Sequence, residues 1–269
     1  MTATTFRKKA GSYWSYTLDG QPRMKGVTTL MKGLSGPPES YFCEYTAGFA
    51  VDNWERLSAL PVAQRLKEIS GATKARFQSA GVKGTAVHNL AEKLSHGEEV
   101  RIPDDLRGHV ESAVQFLDDW EVEPIVTEAA LFSRRHQYAG SADLFATGRN
   151  PLSGQRVRFL GDYKTSASGP WGSVAFQLAG YYFADFMLDG DAGKESAEVP
   201  IPECDEFLAI WIRGDGYDVY PMHVTREVHR ELLYIDQCKQ ADDRCRDYKG
   251  DALPKPATVR KVRLEEVAE

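Results

Sequence analysis

Residues 125–132, 138–147 and 157–165 are three stretches rich in β-branched and aromatic side chains, the last two joined by the turn-forming run at 148–154. Three strands so closely spaced pair most readily with one another, as a local meander. Whatever else the chain folds into must then cover the faces of that sheet. The flanking sequence is suited to this, because its apolar residues return at helical spacing.

On the N-terminal side, 13–18 alternates as a short strand ending in a turn at Asp19-Gly20, and 27–33 reads as a short helix. Phe42, Tyr45, Phe49 and Trp54 suit a helix from Glu39 to about Leu60, and Pro61 opens another helical stretch. Gly84-Thr85 precedes a helix through about Leu94, with Thr85 expected as its N-cap. Val110, Val114 and Leu117 mark a helix over 106–120. Beyond the meander, an apolar helix is expected at 173–188, then a Gly/Pro/Glu-rich loop at 189–203. Strands at 207–213 and 217–224 form a hairpin across Gly214-Asp215-Gly216. Thr225 caps a charged helix to about Tyr248, and the tail after Gly250 reads as extended or poorly ordered. The expected class is α/β (α+β), a mixed central sheet flanked by helices behind a helical N-terminal part. Its divisions are a lead-in at 1–83, a core at 84–249 and a tail at 250–269.

In a strand, positions i and i+2 share a face, so Asp162 and Lys164 project together while Phe159, Gly161 and Tyr163 point away. Asp143 lies in the preceding strand, and hairpin pairing brings it beside Asp162. Two carboxylates converging from adjacent strands make a hard-oxygen site suited to Mg²⁺ or Mn²⁺, with Lys164 placed to orient water or offset charge on a phosphate. Taken alone, Asp-x-Lys is also a common solvated strand pair. His88 and Glu92 share a helical face at the rim of an apolar stripe, placed to ligate a metal or to support its ligands, or as a chance surface pair. Gln177 and Tyr181 are another i, i+4 pair in an apolar helix, where a buried amide needs partners. It is either a structural bridge or a reader of a polar ligand.

In this order the residues resemble the motifs of the RecB-like branch of the PD-(D/E)XK nuclease superfamily: Gly84-Thr85-x-x-His88, Gly140-x-x-Asp143, Asp162-x-Lys164 and Gln177-x-x-x-Tyr181. The resemblance covers residues 84–188, and more loosely Val27-Thr28-Thr29-Leu30 and the helix ending near Trp54 are similar to the lead-in of phage and CRISPR-associated members. It implies a restriction-endonuclease-like core. It also implies metal binding by His88, Asp143, Asp162 and the Tyr163 carbonyl, catalysis by Lys164, positioning by Gln177 and Tyr181, and action of Glu92 through water. The implied activity is metal-dependent DNA exonuclease action in recombination, repair or end processing, by a phage or mobile-element enzyme. A structure-specific endonuclease and a catalytically silent DNA-binding or assembly module on the same fold are the alternatives. Arg134, Arg135 and Trp171 are candidate DNA contacts, with a solvated turn and a core-capping Trp as the alternatives.

Some relatives carry an iron–sulfur cluster on one cysteine before the core and three after it. Cys43, Cys204, Cys238 and Cys245 follow that order but lack C-x-x-C spacing, so no cluster is expected. Few cysteines, a basic N-terminus with no apolar run behind it, and no long apolar window give a cytoplasmic protein as the expectation, in the host cytoplasm if phage-encoded. The net charge of −6 argues against a stoichiometric DNA coat, but not against a DNA enzyme that works beside recombination or replication proteins.

Overall fold

The computed structural model describes residues 4–9, 15–18, 22–34, 39–190 and 194–253. The turn at 19–20, strand positions 13–14 and the tail beyond 253 lie outside them. In chain order the elements are β1 (Thr4–Lys9), β2 (Ser15–Leu18), β3 (Lys25–Gly26), α1 (Val27–Leu30), α2 (Glu39–Asp52), α3 (Trp54–Ser58) and α4 (Val62–Ser95). There follow α5 (Arg107–Asp119), β4 (Glu123–Ser133), β5 (Tyr138–Arg149), β6 (Arg156–Lys164), α6 (Val174–Tyr182), β7 (Phe186–Asp189), β8 (Glu195–Val199), β9 (Glu206–Arg213), β10 (Gly216–Pro221) and α7 (Arg226–Cys245).

The expected meander β4–β5–β6 is antiparallel and forms the middle of one mixed sheet, ordered β10-β9-β6-β5-β4-β7-β8-β1-β2. β9 joins β6 in parallel, and β3 lies parallel to the start of β5. Helices cover both faces. On one, Val87 and Ala91 of α4 and Val110, Ala113 and Phe116 of α5 pack on Leu144, Phe159, Tyr163 and Ile210. On the other, Val27, Leu178, Tyr181 and Leu232 from α1, α6 and α7 pack on Leu131, Phe145, Leu160 and Ala209. The chain is thus mixed α/β, with a central sheet between helical layers. Among the described residues no helix is long and apolar enough to cross a membrane.

Three expectations need correction. The first is the helix start at Gly84-Thr85. One helix, α4, runs unbroken from Val62 to Ser95, so Thr85 lies in its interior and the division at residue 83 falls within a continuous helix. Thr85 is not an N-cap; its Oγ1 donates to the Gly81 carbonyl at 3.0 Å, one turn back. Pro61 opens this helix, and α2 supports its first half, through Thr46 on Thr73 (3.0 Å) and Phe42 against Phe77 (6.1 Å between ring centroids). Gly84 has another role: a Cβ there would stand 3.1 Å from Thr165 Oγ1, so the glycine lets α4 approach the end of β6.

The second correction is the length of the apolar helix. It ends at Tyr182, and Phe186–Asp189 is a strand paired with β4, where Phe186 stacks on Phe132 at 5.8 Å. A continuously apolar run has no period to separate a buried helix from a buried strand. The third is the 189–203 loop, within which Glu195–Val199 pairs with β7 and β1. One of its partners, β1, is distant in sequence, the other, β7, itself reads as helix, and its own composition carries no strand pattern.

Candidate functional site

The interior alternation of β6 sets the site. Leu160 packs under α6 while Phe159 and Tyr163 face α4 and α5, so Asp162 and Lys164 stand on the α6 side. Asp162 is only 1% exposed. Above it, α6 carries Gln177 and Tyr181 one turn apart. Gln177 Nε2 donates to Asp162 Oδ1 at 2.7 Å and to the Tyr181 hydroxyl at 3.0 Å, while its Oε1 accepts from Lys164 Nζ at 3.0 Å. The Lys164 ammonium also pairs with Asp162 Oδ2, so both carboxylate oxygens are engaged.

Asp143 reaches the same region from β5. Its Oδ2 accepts from the Tyr163 amide at 2.9 Å and faces His88 Nδ1 of α4 at 3.4 Å. The Tyr181 ring requires the glycine at the start of this motif, since a Cβ on Gly140 would fall 2.5 Å from Tyr181 Cε1. His88, Asp143, Gln177 and Tyr181 open into a cleft of about 420 Å³ that Glu92, Asn89, Thr28, Tyr16, Glu128 and Ser141 also line. Glu92 is anchored at its rim by Thr127 Oγ1 at 3.4 Å.

The electrostatics divide the two aspartates. Burial, reinforced by the nearby Asp143 and opposed by Lys164, pushes Asp162 up to about 6. Asp143 goes the other way: burial works against its charge, but His88, Lys164 and the Tyr163 amide outweigh it and hold the carboxyl below its ordinary value. Burial likewise disfavours charge on His88, and the carboxylate of Asp143 overcomes it and raises the imidazole. Tyr181 stays a neutral phenol, its pKa raised by burial and by the two aspartates.

Among the described residues no three His, Cys, Asp or Glu side chains are close enough together to hold a metal ion. The Asp162 carboxylate is engaged by the Lys164 ammonium and the Gln177 amide. The donor set itself suits a hard divalent cation: two carboxylates and an imidazole border the site, and the buried Asp162 Oδ2 already faces a positive charge.

The proposed DNA contacts lie apart from this network. Arg134, in the turn between β4 and β5, makes a two-pronged pair with Glu198 at 2.7 and 2.5 Å and lies over the Phe186 ring. Arg135 is exposed beside it, and its backbone amide donates to Asp185 at 2.9 Å. Asp143 is five residues further along β5 than Tyr138, roughly 17 Å at strand rise. Trp171 is 63% exposed on the loop that follows Lys164, and that loop is fastened by Trp211 Nε1 donating to Ser166 O at 2.7 Å.

Glu128 and Ser141 are cleft residues that reasoning from sequence missed. Nothing in the motif spacing marks them, and Glu128 reads there as one more acidic residue on a strand. Compared with models of known protein families and with curated proteins, the chain matches none.

Proposed function

We propose that this protein is a divalent-metal-dependent nuclease of the RecB-like PD-(D/E)XK kind, hydrolysing DNA phosphodiester bonds. The observation that carries the reading is the hydrogen-bonded set Tyr181–Gln177–Asp162–Lys164, beside Asp143 and His88, drawn from four separate elements and reaching one cleft at His88, Asp143, Gln177 and Tyr181.

His88, Asp143 and Asp162, with the Tyr163 carbonyl, would hold Mg²⁺ or Mn²⁺; such an ion, when bound, polarises a phosphate oxygen and lowers the pKa of its water. The chain's own residues do the rest. Asp143 is kept ionised by His88 and the Tyr163 amide, so it presents negative charge at neutral pH. Lys164 is the one ammonium in the set, placed to orient the attacking water or offset charge gathering on the phosphate. Gln177 has a fixed sense, since its oxygen must accept from Lys164 and its nitrogen must donate to Asp162. It therefore holds the cation and the carboxylate at a set separation. The Tyr181 hydroxyl accepts from Gln177, which leaves its own proton directed elsewhere in the cleft.

The motif order favours exonuclease action. The test is end-labelled linear and circular DNA, single- and double-stranded, with Mg²⁺, Mn²⁺ or EDTA. Metal-dependent loss of linear but not circular DNA supports an exonuclease, cutting of the circle supports an endonuclease, and absence of cutting in every arm overturns the reading.

A further inference from the structure

Glu128 has a backbone that its surroundings do not explain by ordinary strand geometry. It lies inside β4 with φ 46°, a left-handed conformation that strains a non-glycine residue. Strain held at one position of a cleft wall asks what it maintains.

The neighbouring side chains answer. On β5, Ala142 and Phe145 both pack on the α6 side, whereas Leu144 and Ala146 pack on the α4–α5 side. A strict period of two would separate 142 from 145, so the alternation slips once between them, at Asp143. β4 slips at the matching place: Val126 and Ala129 both lie against the α6-side core. The register is the same on either side of the slip, with Thr127 opposite Leu144 and Ala129 opposite Ala142, so Glu128 and Asp143 are the residues left between these pairs. Thr127 and Glu128 also escape the usual opposition of consecutive strand residues, since Thr127 holds Glu92 while Glu128 lines the same cleft as Glu92.

Ser141 locks this kink. Its hydroxyl lies 2.8 Å from Glu128 Oε2 and 3.1 Å from the Glu128 carbonyl, so one donor is shared by the side chain and backbone of the same strained residue. Ser141 stands two positions before Asp143. We propose that Glu128 is a positioning residue: its left-handed backbone and its carboxylate clamp on Ser141 hold the joint kink of β4 and β5 from which Asp143 is presented to the cleft. The inference rests on the metal-dependent reading of that cleft, and the experiment separates the two.

Mn²⁺ affinity is measured by calorimetry, and DNA cleavage in parallel, for wild-type protein and for E128Q, E128A and E128G, each checked for folding by circular dichroism and melting. An amide oxygen can accept the Ser141 bond, so E128Q rescues the clamp and stays within about threefold of wild type. E128A and E128G lose it, and Mn²⁺ binding weakens by about 10- to 100-fold, the usual span for groups behind a metal's ligands. E128G relieves the strain and so melts no lower than E128A, yet shares its loss of affinity. Wild-type affinity in both E128A and E128G, or a loss in E128Q as deep as in E128A, would overturn the proposal while leaving the nuclease reading intact. Wild-type protein that binds Mn²⁺ without cutting DNA would overturn the nuclease reading and leave the affinities to decide on Glu128. Failure of the wild type to bind Mn²⁺ overturns both.

Discussion

Lys164 Nζ donates to Gln177 Oε1 at 3.0 Å, which ties the end of β6 to the second turn of α6. Because the same amide donates to Asp162, Gln177 sets the spacing between the ammonium and the carboxylate. Gln177→Ala is expected to lower the cleavage rate about 10- to 100-fold, the scale of lost support behind a metal site. Gln177→Glu loses at least as much, since a second carboxylate then faces buried Asp162 with no donor. Steady-state rates at saturating metal, with melting temperatures as the folding control, check both.

Gly140→Ala is expected to displace the Tyr181 ring, because the added Cβ would lie 2.5 Å from its Cε1. Overpacking of this kind costs about 1–3 kcal/mol, and cleavage falls with it as Tyr181 leaves Gln177. Gly172→Ala is the control, since a Cβ there meets nothing within 4 Å. Urea unfolding of the two variants separates them.

Trp171→Ala is expected to weaken DNA binding by about 1–3 kcal/mol if one base stacks on the exposed indole. Melting should hardly move, because the loop is fastened by Trp211 rather than by Trp171. Arg134→Ala is expected to do less, since that guanidinium is committed to Glu198. Fluorescence anisotropy with labelled single-stranded DNA distinguishes the two residues.

Away from the cleft, His229 Nε2 lies 2.8 Å from the buried Tyr138 hydroxyl. Burial first, then His136 and Arg226, with Asp185 opposing, lowers the His229 pKa from 6.5 to about 4. The unfolded chain therefore takes up a proton between pH 6.5 and 4 that the folded protein refuses. Stability from this group is full above the upper limit and falls as pH drops toward the lower one. Denaturant unfolding across that window should show the slope, and His229→Gln should flatten it.

The clustering of the candidate residues was legible because it follows short fixed spacings. Asp162 and Lys164 share a face at i, i+2, and Gln177 and Tyr181 do so at i, i+4; the two pairs meet through Gln177. The meander, its 148–154 turn, the β9–β10 hairpin and Thr225 as a cap were equally readable; Thr225 Oγ1 accepts from the Val228 amide at 3.2 Å. Harder to read were features that depend on distant partners. Gly84-Thr85 looked like a helix start, but it lies inside a helix that runs on from Val62, and Gly84 answers to Thr165, eighty-one positions away in the chain. Phe186–Asp189 became a strand because β4 and β8 flank it. The left-handed backbone of Glu128 leaves no trace in residue type, since glycine or asparagine would be the usual marker of such a position.

The central claim is that Asp162 and Lys164 act together in metal-dependent cleavage of DNA. Its most direct measurement is the rate of cleavage of end-labelled linear DNA in Mg²⁺ or Mn²⁺ by wild-type, Asp162→Ala and Lys164→Ala protein, with EDTA as the blank. Cleavage by the wild type that EDTA abolishes, with both variants slowed at least about 100-fold, is the predicted result. Either variant cutting DNA at the wild-type rate would contradict it.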